Sequence, residues 1–159
     1  TDPCPASRSL GACGIDGKIG FTYSALENHF ANGTLLFPEI WLADTGRECH
    51  SEEAVLPGYE IRRVHGGDFP GIIQSEKAPG VPGRVFFELD SELITKLDRY
   101  EDTFYKRIVV PTQDPAGNLL PSQAYVIPES QRAVLSGEDW TREWLRTHAL
   151  AEYFARHFA

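Results

Sequence analysis

The carboxylate of Glu101 is the side chain whose position in the sequence most clearly indicates chemistry. It lies near the end of the run LITKLDRYEDTFYKR, residues 93–107, which begins with the spacing of an amphipathic helix. Glu101 follows Leu97 by four residues and Leu93 by eight, so it falls within the apolar arc of that helix. Partial removal from water disfavours a charged carboxylate, and its pKa rises toward the range of a general base.

The helix that would position Glu101 is expected to begin at Asp90 or Ser91, whose side-chain oxygens can accept from free backbone N–H groups. Its apolar positions are Leu93, Ile94, Leu97 and Tyr100, and its polar positions are Thr95, Lys96, Asp98, Arg99 and Asp102. In an alternative interpretation, Glu101 lies where the helix has ended, reaching water or pairing with Lys106 or Arg107.

A second candidate site is the loop at Gly33, between a short apolar run and a predicted helix. Pro38 suits the first helical position, Glu39 is favourable in the first turn, and Gly46 is a plausible end. Such loops direct backbone N–H groups at one point and can bind an anion, and Gly33 has no side chain to block its approach. The pattern also fits an ordinary turn.

Length and composition predict one globular domain, because 159 residues with 42% hydrophobic and 24% charged residues are ordinary for a soluble protein. We expect an irregular extension over residues 1–28 and a single domain over residues 29–159. A net charge of −8 argues against a nucleic-acid partner, and no apolar run reaches membrane-spanning length.

The three cysteines, Cys4, Cys13 and Cys49, have spacings that fit no zinc site or disulfide framework. We therefore expect reduced thiols in a cytoplasmic protein, with a Cys4–Cys13 bridge as the alternative. The five histidines likewise show no metal-ligand spacing, so the sequence predicts no metal site.

Short β-like runs separated by turn residues dominate the middle of the chain, and the C-terminal part reads as helical. Strands are predicted at 59–64, 72–73, 84–89, 107–111 and 124–128, with a hairpin turn at 114–118. A helix is predicted over 136–158, with Ser136 and Asp139 in a capping-box pattern. This order of elements predicts an α+β fold with a small, mostly antiparallel, β-barrel-like sheet.

Three motifs occur in a fixed order: Gly33-Thr34-Leu35, then Phe69-Pro70-Gly71, then Leu97-Asp98-Arg99-Tyr100-Glu101 followed by Tyr105-Lys106-Arg107. Together they resemble the γ-glutamylcyclotransferase family, including its AIG2-like branch. In that family a Y-G-T-L loop precedes a Y-P-G loop and the motif L-D-x-Y-E-G-x-x-Y-x-R. The resemblance covers about residues 29–128, and the aromatic C-terminal helix is similar to the tail of AIG2-like members.

The resemblance implies a mixed barrel-like sheet flanked by helices, and it implies roles for named residues. Glu101 corresponds to the catalytic acid/base. The backbone of Gly33, Thr34 and Leu35 corresponds to the loop that holds the α-amino and α-carboxylate end of a γ-glutamyl group, and Tyr105 to a tyrosine near the pocket. The implied reaction is attack of the substrate's α-amino group on its own γ-carbonyl, which gives 5-oxoproline and a free amine without cofactor or metal.

Two residues depart from the family pattern. Asn32 stands at a substrate-site position where the pattern has Tyr, which removes an aromatic wall and leaves substrate preference open. A non-catalytic ligand- or partner-binding protein and an amide-cleaving enzyme with a non-glutamyl substrate therefore remain as alternatives. Asp102 stands where the pattern usually has Gly; helical spacing predicts that it points away from Glu101. The sequence indicates neither the leaving group nor the oligomeric state.

Overall fold

Seven strands and four helices make up the part of the chain that the computed structural model describes, residues 26–158. The strands are β1 (Glu27–Ala31), β2 (Ser51–Leu56), β3 (Tyr59–Arg63), β4 (Pro70–Gln74), β5 (Val81–Leu89), β6 (Lys106–Gln113) and β7 (Leu119–Val126). The helices are α1 (Pro38–Thr45), α2 (Ser91–Tyr100), α3 (Arg142–His148) and α4 (Leu150–Phe158), with 3-10 turns at Thr34–Leu36 and Glu129–Val134. Most of the expected N-terminal extension, with Cys4 and Cys13, lies outside the described residues.

Five strands close a barrel in the order β1-β5-β2-β6-β7. All neighbours are antiparallel except β1 and β7, which close the barrel in parallel with His29 opposite Gln123. Strands β3 and β4 form a separate antiparallel pair. The predicted α+β fold with a mostly antiparallel, barrel-like mixed sheet flanked by helices is confirmed. Within residues 26–158, no helix has the length and apolar character needed to cross a membrane.

Successive residues of one strand belong to two different buried groups, as the two-residue period of a strand requires. Val85 of β5 packs with side chains from the other barrel strands, including Phe30 and Val110. Its neighbour Phe86 packs with side chains from the helices, including Trp41, whose ring stacks on it at 3.7 Å between centroids. One face of the strands thus fills the barrel and the other holds the helices that carry the site.

Helix α2 forms where the sequence predicts it. An oxygen of Asp90 caps it by accepting a hydrogen bond from the backbone N–H of Leu93 at 2.9 Å. The other oxygen accepts from the Arg47 guanidinium at 2.8 Å. The buried residues of α2 are the predicted Leu93, Ile94 and Leu97. The last residue of α2 is Tyr100, so Glu101 follows immediately after a helix whose apolar face is packed in the core.

The loop at Gly33 packs directly against the loop of the second motif. A Cβ atom added to Gly33 would lie 2.8 Å from Cγ of Pro70, closer than side-chain carbons approach, so glycine is required for this contact. After the 3-10 turn, α1 begins at Pro38 and ends before Gly46, which has a left-handed φ of 84°. Both predicted ends of α1 are therefore confirmed.

The C-terminal helical region begins later than predicted and is divided in two. The Ser136 hydroxyl donates to the Arg63 carbonyl at 2.8 Å, so Ser136 anchors the chain to β3 instead of starting a helix. The first helix, α3, is capped by Thr141, which accepts from the N–H of Trp144 at 2.9 Å. Ala149, with φ −152° and ψ 10°, separates α3 from α4. The capping-box pattern at Ser136 is therefore a misleading signal.

We expect Asp90→Ala to lower the free energy of unfolding by about 1–2 kcal/mol, because it removes both the cap of α2 and the acceptor for Arg47. Asp90→Asn should lose less, since Asn is an equally good capping residue and only the ion pair is lost. Urea denaturation of the two variants and the native chain measures the difference. Equal losses for Ala and Asn would show that the cap does not stabilise α2.

Candidate active site

Side chains from several separate segments meet in a cavity of about 120 Å³ at one side of the barrel. The segments are the end of β1 with the following loop, the loop before β4, the turn after α2, strand β7 and helix α4. The residues singled out from the sequence, Asn32, Gly33, Thr34, Leu35, Glu101 and Tyr105, all line this cavity. The fold therefore brings together residues that are up to 73 positions apart, from 32 to 105.

Glu101 lies at the point where the backbone leaves helix α2. Its N–H still donates to the Leu97 carbonyl at 3.2 Å, but its own φ of −83° and ψ of 148° are extended. Burial raises the pKa of Glu101 to about 8, with smaller contributions from the carboxylates of Asp102, Asp44 and Asp98. Within residues 26–158, no hydrogen bond or ion pair holds the Glu101 carboxylate, which leaves it available to a ligand.

The alternative interpretation is confirmed in that Glu101 lies where the helix has ended, but its pairing with Arg107 is wrong. Its guanidinium makes two hydrogen bonds to the Asp98 carboxylate, at 2.8 and 3.1 Å, and a further one to Gln123. Tyr125 also donates to Asp98, at 2.7 Å. The arginine closest in sequence to Glu101 on its C-terminal side is thus held by another carboxylate, and the pKa of Glu101 stays high.

The expectation that Asp102 points away from Glu101 is also wrong. Both residues line the same cavity, and the Asp102 charge is among the causes that raise the pKa of Glu101. The expectation assumed helical spacing across the pair, whereas the helix has already ended at Tyr100. The cavity therefore presents two carboxylates from adjacent residues.

The loop at Gly33 presents backbone donors to the cavity. In its 3-10 turn, Leu36 donates to the Gly33 carbonyl at 3.0 Å and Phe37 to the Thr34 carbonyl at 3.1 Å. The N–H groups of Gly33, Thr34 and Leu35 donate to no other group among the described residues. Three unpartnered N–H groups at one turn form a local centre of positive potential that suits a carboxylate.

Two tyrosines tie this loop to helices α2 and α4. The hydroxyls of Thr34 and Tyr100 lie 2.7 Å apart, and those of Tyr100 and Tyr153 lie 2.5 Å apart. Burial raises the pKa of both tyrosines, so both are neutral phenols at pH 7. This chain of hydroxyls fixes the position of Thr34 relative to the end of α2.

Tyr105 lines the cavity, but its hydroxyl is already bound. It donates to the backbone carbonyl of Pro70 at 2.5 Å, and burial raises its pKa well above the ordinary value. Tyr105 therefore anchors Pro70, the residue against which Gly33 packs. Its geometry is that of a residue that positions the loop.

His29 lines the cavity and was not identified from the sequence. It is only 1% exposed, and its Nδ1 has no hydrogen-bond partner in the described part of the chain. Burial, with the Arg107 charge as the next cause, lowers its pKa to about 3, so the ring is neutral. The sequence feature that could have indicated His29 is its position three residues before Asn32, on the strand that leads into the Gly33 loop.

The C-terminal helix also contributes to the cavity, through Tyr153 and His157. The rings of these residues stack with centroids 4.0 Å apart, as the i, i+4 spacing allows. That spacing was visible in the sequence, but an aromatic helix face indicates packing as readily as a site. Tyr125 of β7, another tyrosine that the sequence did not indicate, lies against the His29 ring at 5.2 Å.

A second cavity of about 470 Å³ adjoins the first, and Asn32 lines both. Its other walls come from the 3-10 turn, strands β2, β3 and β5, and the start of α3. Arg84 and Arg142 are the cationic residues that line it. Among residues 26–158, no group of three or more His, Cys, Asp or Glu side chains is arranged to hold a metal ion.

Comparison with known proteins gives a consistent result. A family model described as γ-glutamyl cyclotransferase, AIG2-like, matches residues 29–142. AIG2-like protein A of Arabidopsis thaliana is 27% identical over 124 residues, which cover 77% of this chain and 74% of the relative. The solution structure of an Arabidopsis thaliana protein is similar with a TM-score of 0.64 and 26% identity, covering 82% of this chain and 87% of that one.

A crystal structure of a γ-glutamyl cyclotransferase specific to glutathione from yeast is similar with a TM-score of 0.55. The identity is 14%, and the match covers 72% of this chain and 74% of that one. At this level of identity the likeness shows a shared fold.

The raised pKa of Glu101 predicts a specific dependence of stability on pH. Its pKa is about 8 in the folded chain and near 4.5 when unfolded, so the folded state binds more protons between these values. Stability from this group is therefore present at low pH and is lost as the pH rises toward 8. Glu101→Gln should match the native chain near pH 4.5 and exceed it by a few kcal/mol at pH 9, since one pKa unit corresponds to about 1.4 kcal/mol.

Urea denaturation of both proteins at several pH values measures this difference. Glu92→Gln is the control, because Glu92 is an exposed residue of the same helix. A difference between native and Glu101→Gln that does not grow with pH would contradict the raised pKa.

Proposed function

The chain belongs to the γ-glutamyl cyclotransferase, AIG2-like family, as its motifs predicted, and from this premise we propose that it is a cyclotransferase. In the proposed reaction, the α-amino nitrogen of a γ-glutamyl amino acid, amine or peptide attacks the γ-carbonyl carbon of the same molecule. The bond to the leaving nitrogen breaks, and the products are 5-oxoproline and the free amine.

The observation that carries this proposal is the division of charge across one small cavity. The turn at Gly33, Thr34 and Leu35, whose N–H groups are unpartnered, and the carboxylic residues Glu101 and Asp102 line this cavity from two separate segments of the chain. The α-carbon of a γ-glutamyl group carries a carboxylate and an ammonium group, which match these two segments. Holding these two groups fixes the orientation of the attacking nitrogen, and well-oriented intramolecular reactions can gain about 7–11 kcal/mol.

Glu101 is suited to transfer the protons that the reaction requires. The substrate's α-ammonium group must lose a proton before it can attack, and its ordinary pKa of about 8 equals the pKa of about 8 of Glu101. Transfer between groups of equal pKa costs little free energy. Overall the attacking nitrogen loses two protons and the leaving nitrogen gains two, so one carboxylate can carry both in turn, and no water is consumed.

Three other groups that line the cavity, His29, Tyr100 and Tyr153, support this assignment because they do not compete for the same proton. His29 is neutral with a pKa of about 3, and the phenols of Tyr100 and Tyr153 remain protonated. None of these groups titrates near the pKa of an α-amino group. The mechanism requires only a carboxylate base, oriented N–H donors and a substrate with both reacting groups, and it involves no cofactor or covalent enzyme intermediate.

We predict that Glu101→Gln lowers kcat for 5-oxoproline formation by about 100- to 10,000-fold, the usual contribution of a general acid/base. The amide keeps the size of the side chain but cannot accept the proton. Release of 5-oxoproline would be measured from γ-glutamyl-alanine, γ-glutamyl-ε-lysine, a γ-glutamyl alkylamine and glutathione. Glu92→Gln, which changes an exposed carboxylate of the same helix, should retain native turnover.

Native turnover by Glu101→Gln would contradict the assigned role. Binding of these compounds by the native chain with no 5-oxoproline would instead favour the non-catalytic alternative, in which Asn32 alters the site. Calorimetric titration of the native chain with each compound separates these outcomes.

A further inference from the structure

The second cavity has a chemical character different from that of the first. Apolar side chains form much of its wall, and they come from three separate elements: Leu36, Ile61 and Trp140. Two arginines, Arg84 and Arg142, and one acidic residue, Glu53, also line it. We call this the arginine cavity. Its lining suits a ligand that combines an apolar group with a negative charge.

The two arginines are available to an anion in different ways. Arg84 is half-buried, and its guanidinium is oriented by hydrogen bonds to the Ser51 hydroxyl at 2.9 Å and the Ser51 carbonyl at 3.1 Å. These use Nε and one terminal nitrogen, and the other terminal nitrogen donates to no group in residues 26–158. Arg142, at the first position of α3, is exposed and has no ion pair within those residues.

The single acidic residue that lines the arginine cavity does not pair with either arginine. Glu53 lies opposite Arg84 in the register of β2 and β5, yet no nitrogen of either arginine is within 4.0 Å of its oxygens. Ser51, the other group that engages Arg84, is neutral. Two guanidiniums therefore face one carboxylate, and the cavity carries a net positive charge in a protein whose overall charge is −8.

Asn32 connects the arginine cavity to the proposed reaction. It lines both cavities, and its side chain makes no hydrogen bond within the described residues. A γ-glutamyl group held in the first cavity has its γ-carbonyl at the end farthest from the α-carbon. Because Asn32 lines both cavities, the arginine cavity is adjacent to the first cavity at this residue.

We propose that the arginine cavity binds the leaving group, and that the preferred leaving group is an α-amino acid with a sizeable apolar side chain and a free carboxylate. This inference rests on the proposed cyclotransferase function. The carboxylate binds Arg84 and Arg142, and the apolar side chain packs against Leu36 and Ile61. A leaving group with an extra ammonium charge is disfavoured, because it would be placed beside two guanidiniums.

Three substrates separate the contributions of charge and apolar contact. γ-Glutamyl-leucine has both features, γ-glutamyl-isoamylamine has the same carbon skeleton without the carboxylate, and γ-glutamyl-glycine has the carboxylate without the side chain. We expect kcat/KM for 5-oxoproline formation to be about tenfold or more higher with the leucine conjugate than with either of the others. The carboxylate gains charge-assisted hydrogen bonds, and the side chain leaves water.

Arg142→Gln tests the source of the carboxylate preference. We expect the ratio of kcat/KM for the leucine conjugate over the isoamylamine conjugate to fall about tenfold in this variant. Arg84→Lys, which keeps a charge but not the guanidinium geometry, should lower the same ratio. Lys77→Gln removes one exposed positive charge from the turn before β5, away from both cavities, and should leave the rates and the ratio at native values.

The outcomes distinguish this inference from the proposed function on which it rests. If 5-oxoproline forms equally fast from the leucine and isoamylamine conjugates, the leaving-group assignment is wrong and the cyclotransferase function stands. The leaving-group assignment is also wrong if Arg142→Gln lowers both rates by the same factor. If none of the three substrates gives 5-oxoproline with folded native protein, the proposed function is wrong and the leaving-group assignment falls with it.

Discussion

The carboxylate of Glu101 is half-buried in the cavity without a cation to neutralise it, and the rest of the candidate site depends on this constraint. A buried carboxylate normally finds a positive partner, which would lower its pKa and make it a poor proton acceptor from an ammonium group. Here the guanidinium of Arg107 is held by Asp98 and Gln123. The pairing of Asp98 with Arg107 therefore attaches α2 to β6, and it also occupies the arginine that could otherwise pair with Glu101.

The constraint is maintained by the elements that meet at Glu101. Helix α2 is fixed at its start by the Asp90 cap and along its length by buried leucine and isoleucine side chains, so its last residue cannot shift freely. The motif loops are fixed against each other by the close contact of Gly33 with Pro70 and by the hydrogen bond from Tyr105. The carboxylic residue and the turn with unpartnered N–H groups are thereby held at the same cavity before any substrate arrives.

Much of this arrangement follows from local rules that a sequence expresses directly. The cap and apolar face of α2, the start of α1 at Pro38 and its end at Gly46 each depend on residues that are close together in the chain. The contributions of Tyr153, His157 and His29 depend instead on how α4 and the parallel closure of β1 with β7 place distant residues, and no local pattern encodes that. Ser136 shows the opposite error, since it has a capping-box pattern with Asp in place of Glu, but its hydroxyl donates to the Arg63 carbonyl of another element.

Two residues at the edge of the site are where this chain departs from its family. Asp102 adds a second carboxylate to the cavity, and its charge helps to keep the pKa of Glu101 high. Asn32 lines both cavities, so it lies between the proposed γ-glutamyl site and the arginine cavity. Membership of the family supports the proposed reaction, whereas these two positions bear on how this chain would perform it and on which conjugates.

The fate of solvent oxygen during turnover is the most direct test of intramolecular attack. Incubation of the native chain with γ-glutamyl-leucine in ¹⁸O-labelled water, followed by mass spectrometry, distinguishes cyclisation from hydrolysis. We predict 5-oxoproline and leucine in equal amounts, with no labelled oxygen in the 5-oxoproline. Glutamate carrying one labelled oxygen would show that water attacks the γ-carbonyl, and it would contradict cyclisation at Glu101.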